Sequence, residues 1–166
     1  MARRKETKTN AMRILDTQGI DYVAHSFSSE IHSADGVAAV LGLPPEKVFK
    51  TLVVMPPRGR PLLAMVPATG ELDLKALAAA AGIKKLHMAT QREAEDLTGL
   101  LVGGISALAL LNRGFRMYLD QSAVELDTIL VSGGQRGLNI ELAPADVIRV
   151  TRAVVCSIAR TPAPTS

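Results

Sequence analysis

One lysine stands in an otherwise uncharged run, Val48-Phe49-Lys50-Thr51-Leu52-Val53-Val54-Met55. Read as a strand, the period of two puts Lys50 on the face shared with Val48, Leu52 and Val54. Burying an ammonium among aliphatic side chains is costly unless an anion or carbonyl oxygens meet it, so the pattern points to a cation presented into a pocket. An edge-strand lysine that blocks aggregation would leave the same pattern. Two glycine-rich turns follow. Leu101-Val102-Gly103-Gly104-Ile105-Ser106 breaks an apolar stretch, and paired glycines let backbone N–H groups approach a ligand oxygen with no Cβ in the way. Such donors can stabilise the oxyanion of a tetrahedral intermediate, although a bulge or tight turn also accounts for the pair. The second turn, Val131-Ser132-Gly133-Gly134-Gln135-Arg136-Gly137-Leu138, joins two strand signals and sets Arg136 where it could meet phosphate or ribose. A plain hairpin connection is the alternative.

Other catalytic and metal patterns are thin. His25, His32 and His87 are dispersed, with no His-Glu-x-x-His and no paired cysteines, so neither a metal site nor a cofactor is expected. Ser106 and Ser132 have no base beside them in sequence, and no carboxylate pair stands out. The second turn lacks the Gly-Lys-Ser/Thr ending of a nucleoside-triphosphate loop and the strand-to-helix setting of a dinucleotide fingerprint. Cys156, the single cysteine, reads as a small hydrophobe and cannot form an internal disulfide, which agrees with a reducing, cytoplasmic compartment.

The elements that must position these residues are marked by caps and breakers. A helix is predicted over Asn10 to Gln18, stopped by Gly19. Ser33 caps another that runs to Leu41 and ends at Gly42 before Pro44-Pro45. Asp73 to Ala81 reads as an alanine-rich helix stopped by Gly82, and Thr90 with Glu93 forms a capping-box pattern for a helix ending at Gly99. Val48 to Met55 and Leu62 to Val66 flank a Pro-Pro-Arg-Gly-Arg turn and predict a hairpin. Further strands are predicted at Asp21 to Ser26, Phe115 to Leu119, Thr128 to Val131, Leu138 to Leu142 and Arg149 to Val154. Strands outnumber helices and several are joined by short turns, which favours antiparallel or mixed pairing with helices outside over a doubly wound parallel sheet.

Composition sets the outer limits. The 166 residues, 48% hydrophobic, are enough for one sizeable core, and a single domain is expected, with flexible tails at about 1–9 and 161–166. No apolar run approaches the roughly 20 residues a membrane helix requires. A net charge of +3 is a weak pointer to a polyanionic partner. With no Trp, two Tyr and three Phe, there is little material for a base-stacking platform, so phosphate contacts and a pocket for one end of a nucleic acid would have to dominate.

Together, Val48 to Leu52, Gly70-Glu71-Leu72-Asp73-Leu74-Lys75, Leu101 to Ser106 and Ser132 to Leu142 resemble, in order and spacing, the YbaK/EbsC family, relatives of the editing domain inserted in bacterial prolyl-tRNA synthetases. The likeness runs from about Asn10 to Arg160. It implies a mixed α/β (α+β) fold with a central, largely antiparallel or mixed, barrel-like sheet and surrounding helices. It implies trans-editing deacylation, the cleavage of the ester between a wrongly attached small amino acid and the end of transfer RNA. Lys50 matches the family's essential lysine, and Gly103 the glycine whose amide faces the scissile carbonyl. Phe27, Thr51, Gly104, Ile105, Ser106, Ser132, Gly133, Arg136 and Asn139 fall at substrate-binding positions. The implied partners are the acceptor end of aminoacyl-tRNA and prolyl-tRNA synthetase, with no membrane and with monomer and homodimer both open. Phe27, Ala107 and Asn139 replace a tyrosine, a proline and an aspartate of the family pattern. Cysteine on tRNA(Pro) is the first expectation from the resemblance, and the alternatives are alanine or another small residue, or a non-catalytic module that binds tRNA or a synthetase.

Overall fold

The computed structural model describes residues 8–31 and 33–161. Of the two expected tails, residues 1–7 and 162–166 lie outside that range, as does His32. The four helices marked by caps form where the sequence places them. These are α1 (Asn10–Thr17), α2 (Ala34–Leu41), α3 (Leu74–Ala81) and α4 (Gln91–Thr98). The side chains of Thr9, Ser33, Asp73 and Thr90 each accept a hydrogen bond from a first-turn N–H, which satisfies donors that have no partner inside the helix. Gly42, Gly82 and Gly99 end three of them in the left-handed region.

The strands are β1 (Val23–Ser26), β2 (Phe49–Met55), β3 (Leu62–Pro67), β4 (Glu71–Leu72), β5 (His87–Met88), β6 (Arg116–Asp120), β7 (Ile129–Ser132), β8 (Leu138–Leu142), β9 (Val154–Cys156) and β10 (Ala159–Arg160). One sheet has the order β5-β2-β3-β6-β9 and another the order β1-β8-β7, while β4 and β10 make a small ribbon. Among the described residues one isolated parallel bridge, Val48 to Leu130, joins the two larger sheets. Pairing is antiparallel except for β3 with β6 and β6 with β9, so the mixed sheet that was expected is present. Among the described residues no ladder closes it into a full barrel.

One expectation fails. Arg149 to Val154 is not a strand: Pro144–Thr151 forms helix α5, and only Val154–Cys156 is extended. Pro144 sits in the first turn, where its missing N–H costs nothing, and the helix buries Val147 and Thr151. The β-branched run that imitates a strand therefore supplies one packed helical stripe.

Strand β2 divides the interior. Phe49 and Val53 face a large cluster that holds Leu15, Leu119 and Ile140. Leu52 and Val54 face a second cluster with Leu62, Leu72 and Leu77. The alternation predicted for β2 is thus observed, and Lys50 shares the parity of the second face. Its Nζ donates to the Gly70 carbonyl oxygen at 2.9 Å, so a half-buried ammonium has the oxygen partner that its placement demands.

Candidate active site

A cavity of about 600 Å³ opens between α2, the first half of β2, the start of α4 and the two glycine-rich turns. Its wall includes Phe27, Lys50, Thr51, Gly103, Ile105, Ser132, Arg136 and Asn139. The lysine and the first glycine of the pair therefore line the same space. Gly104, Ser106 and Gly133 are not part of its wall. They build the turns behind it. The Gly104 N–H donates to Leu101 O at 2.8 Å, and a Cβ on Gly104 would lie 2.8 Å from the Gln135 carbonyl carbon. Ser106 Oγ accepts from the Ala109 N–H at 3.3 Å. Gly133 packs against Leu138, where a Cβ would come within 2.7 Å of the leucine side chain.

The two turns are fastened to each other. Arg136 Nε donates to Val102 O at 2.7 Å, and the arginine side chain lies over Gly103, whose φ is +94°. That backbone conformation strains any L side chain. Among the described residues no protein acceptor takes the Gly103 N–H, so the donor is available to a ligand.

The back wall follows from strand register. Asn139 pairs with His25 on β1 and with Ser132 on β7, so these residues share one face of the three-stranded sheet. Asn139 is 9% exposed, and no hydrogen bond from a described residue reaches its side-chain amide. Among the described residues no side-chain polar atom is both fully buried and unpartnered, so the Asn139 amide is reached from the cavity that the residue lines and is open to whatever fills it. Farther along the same face, Glu141 accepts from Thr128 Oγ1 at 2.6 Å, contacts His25 Nε2 at 2.9 Å and lies 3.6 Å from Lys47 Nζ. Thr128 first, then His25, hold this carboxyl below the usual glutamate range against the opposing effect of burial, and Lys47 adds to them. The network fixes β1, β7 and β8 behind Asn139.

Sequence reasoning did not foresee several wall residues. These are Ile31 just before α2 and Val37 within it, Met88, Thr90 and Ala94 from β5 through α4, and Gly137 in the second glycine-rich turn. Gly137 carried a signal within its motif: its φ is +78°, and a Cβ there would lie 2.6 Å from Phe27 O. That carbonyl-lined approach, with Phe27 N–H donating to Gly137 O at 2.9 Å, is what brings Phe27 to the site. Among the described residues the wall holds no His, Asp, Glu or Cys, and no group of acidic, histidine or cysteine side chains is arranged to hold a metal ion.

The model of the aminoacyl-tRNA editing domain matches residues 28–150. The chain belongs to this family. The editing domain is also 40% identical over 154 residues to EbsC of Enterococcus faecalis, named as a candidate Cys-tRNA(Pro)/Cys-tRNA(Cys) deacylase, covering 91% of this chain and 93% of that protein. Its fold is shared with a hypothetical protein, with a TM-score of 0.84 at 22% identity over 91% of this chain and 99% of the other. A candidate trans-editing enzyme for prolyl-tRNA synthetase gives a TM-score of 0.79 at 24% identity, over 93% and 99% of the two chains. The region matched as an editing domain contains Lys50, both glycine-rich turns and Asn139. Among the described residues, no helix of the editing domain is long and apolar enough to cross a membrane.

Proposed function

We propose that this editing domain is a trans-acting deacylase that removes a small, wrongly attached amino acid from transfer RNA, with cysteine on tRNA(Pro) as the first substrate and alanine as the second. The observation that carries the reading is that Lys50 and Gly103 line one cavity within a chain of this family. The name of EbsC supports cysteine.

The aminoacyl ester is already activated, so catalysis needs placement, an oxyanion site and a held nucleophile. Lys50 Nζ keeps Gly70 O as one partner and offers its remaining protons to a phosphate or carbonyl oxygen of the bound end. The Gly103 N–H donates to the carbonyl oxygen as it gains negative charge. In this reading the nucleophile is supplied by the substrate or by water, as an already activated ester allows. Either the thiol of the cysteinyl group attacks its own carbonyl carbon or a bound water does so. The bond from that carbon to the ribose oxygen breaks, and the ribose oxygen takes the proton that the nucleophile gives up. The products are free tRNA with a thiolactone in the first case and free tRNA with the amino acid in the second.

The test is the rate of deacylation of Cys-tRNA(Pro) and Ala-tRNA(Pro) by wild type and by Lys50→Ala. A loss of at least a hundredfold in the variant is expected. Equal rates in the two proteins would remove Lys50 from the mechanism, and turnover of neither substrate by wild type would remove the activity itself.

A further inference from the structure

The strongest unexplained feature outside the cavity is a set of cations at one end of the five-stranded sheet. Three segments meet there. The β2–β3 connection brings Arg58 and Arg60, the α3–β5 connection brings Lys84 and Lys85, and the entry to β6 brings Arg113 and Arg116. Register places them together, because Met55 at the end of β2 pairs with His87 and Leu62 at the start of β3 pairs with Arg116. Side-chain contacts tighten the group: Arg60 lies against Gly114, and Arg116 Nη2 donates to Ala81 O at 3.2 Å.

All six cations are exposed, and residues 56–62, 82–88 and 112–116 contain no Asp or Glu. Among the described residues none of the six has a carboxylate within salt-bridge distance, whereas Lys8, Lys47, Arg92, Arg149 and Arg160 each have at least one. The carboxylates of neighbouring α4 are otherwise engaged. Glu93 and Glu95 accept from the N–H groups of Thr90 and Val102, and Asp96 faces Arg92. Six unpaired like charges repel one another, and a polyanion relieves that repulsion.

We propose that this end of the sheet docks the phosphate backbone of the transfer RNA whose charged end occupies the cavity. The proposal rests on the deacylase reading above. The two regions are continuous, since β2 lines the cavity from Phe49 to Val53 and reaches the basic end at Met55. At about 3.3 Å per residue, Lys50 and Met55 are about 17 Å apart along the strand, a span over which an RNA stem presents several phosphates. Phosphate suits this surface better than a protein does. The three segments supply charge, and their only aromatic residue is the half-buried Phe115, whereas protein interfaces are centred on apolar and aromatic anchors.

The experiment compares wild type with Arg58→Ala/Lys84→Ala/Lys85→Ala on two substrates, full-length Cys-tRNA(Pro) and a short cysteinylated fragment of its 3′ end. These side chains lie outside the cavity wall, and a thermal melt checks that the variant folds as wild type does. KM for the full-length substrate is expected to rise at least tenfold with kcat within twofold, while kinetics on the fragment stay unchanged. The slope of log affinity for uncharged tRNA(Pro) against log salt is expected to fall by about two to three, roughly 0.7–0.9 for each phosphate that the variant no longer neutralises. An Arg149→Ala/Arg160→Ala control, which removes two cations that do have carboxylate partners, is expected to change neither. Unchanged KM and salt slope in the triple variant overturn the proposal, and weakened binding to prolyl-tRNA synthetase alongside them would assign the surface to a protein instead. Wild type inactive on both substrates would overturn the deacylase reading, with the salt slope still deciding whether this surface binds RNA.

Discussion

Arg136 Nε lies 2.7 Å from the carbonyl oxygen of Val102, so a side chain from the second glycine-rich turn holds the backbone of the first. The arm of that arginine covers Gly103, and the contact fixes where the Gly103 N–H points. Under the proposed deacylase mechanism Arg136 therefore acts as a positioning residue. Arg136→Ala should lower kcat for deacylation by about tenfold, corresponding to one hydrogen bond with a net worth of about 1.4 kcal/mol. Arg136→Met, which keeps the packing over Gly103 and loses the hydrogen bond, should fall between the alanine variant and wild type. A rise in KM alone would mean that the guanidinium only contacts substrate.

The two glycines of the first turn should respond differently to alanine. At Gly104 the added Cβ would meet Gln135 and Arg136 backbone at 2.8–2.9 Å, and backbone cannot swing aside as a side chain can. Gly104→Ala should therefore destabilise the fold by about 1–3 kcal/mol, as overpacking does, seen as a lower melting temperature. At Gly103 the nearest neighbour is the flexible Arg136 side chain at 3.4 Å, so the penalty comes from φ, about 1–3 kcal/mol. Gly103→Ala, assayed well below its melting temperature, should still lose at least tenfold in deacylation because the N–H is re-aimed. Retained activity there would exclude the amide from the oxyanion site.

Most of the frame was legible because it is written in local signals. Ser33, Asp73 and Thr90 cap helices, and Gly42, Gly82 and Gly99 end them. Helix α5 was not legible, since Ala143 at its N-cap offers no side-chain acceptor and Arg152 ends it at φ 57°, a conformation usually signalled by glycine. Lys50 stood out as a lone charge with strand parity. The rest of the cavity did not, because Ile31, Met88 and Thr90 reach it from segments far apart in sequence, and only the assembled register brings them together. The hydrogen bond from Lys50 to Gly70 O was equally invisible, since nothing local links a strand residue to a turn twenty positions on.

Asn139 separates structural from functional burial. Its amide has no hydrogen bond from a described residue and faces the cavity, so an apolar replacement leaves no protein partner unsatisfied. Asn139→Leu should hold its melting temperature within a few degrees of wild type while KM for aminoacyl-tRNA rises several-fold. A large drop in stability with unchanged KM would show instead that the amide serves the fold.

Asp120 joins the end of β6 to the C-terminal ribbon and should make stability depend on pH. One carboxylate oxygen accepts from the N–H groups of Ile158 and Ala159 at 2.9 Å each, and the other accepts from Ser122 N–H at 3.1 Å and Ser122 Oγ at 2.6 Å. Burial on its own would raise this carboxyl, but the hydrogen bonds, led by the Ser122 side chain, outweigh it and hold the group below the usual aspartate range. A carboxyl whose folded pKa lies below its unfolded value, about 3.9, stabilises the fold fully above that unfolded value. The contribution is lost as pH falls through the lower, folded one. Asp120→Asn should therefore be less stable than wild type at pH 7 by about 1–3 kcal/mol, the cost of disrupting hydrogen bonds to a buried charge. Denaturant titrations from pH 7 to pH 3 should show the gap narrowing below about pH 4, where the carboxyl of the unfolded wild-type chain begins to take up a proton while the folded one still resists it. A gap that stays constant to pH 3 would mean that the shape of the side chain, and not its charge, ties the two strands together.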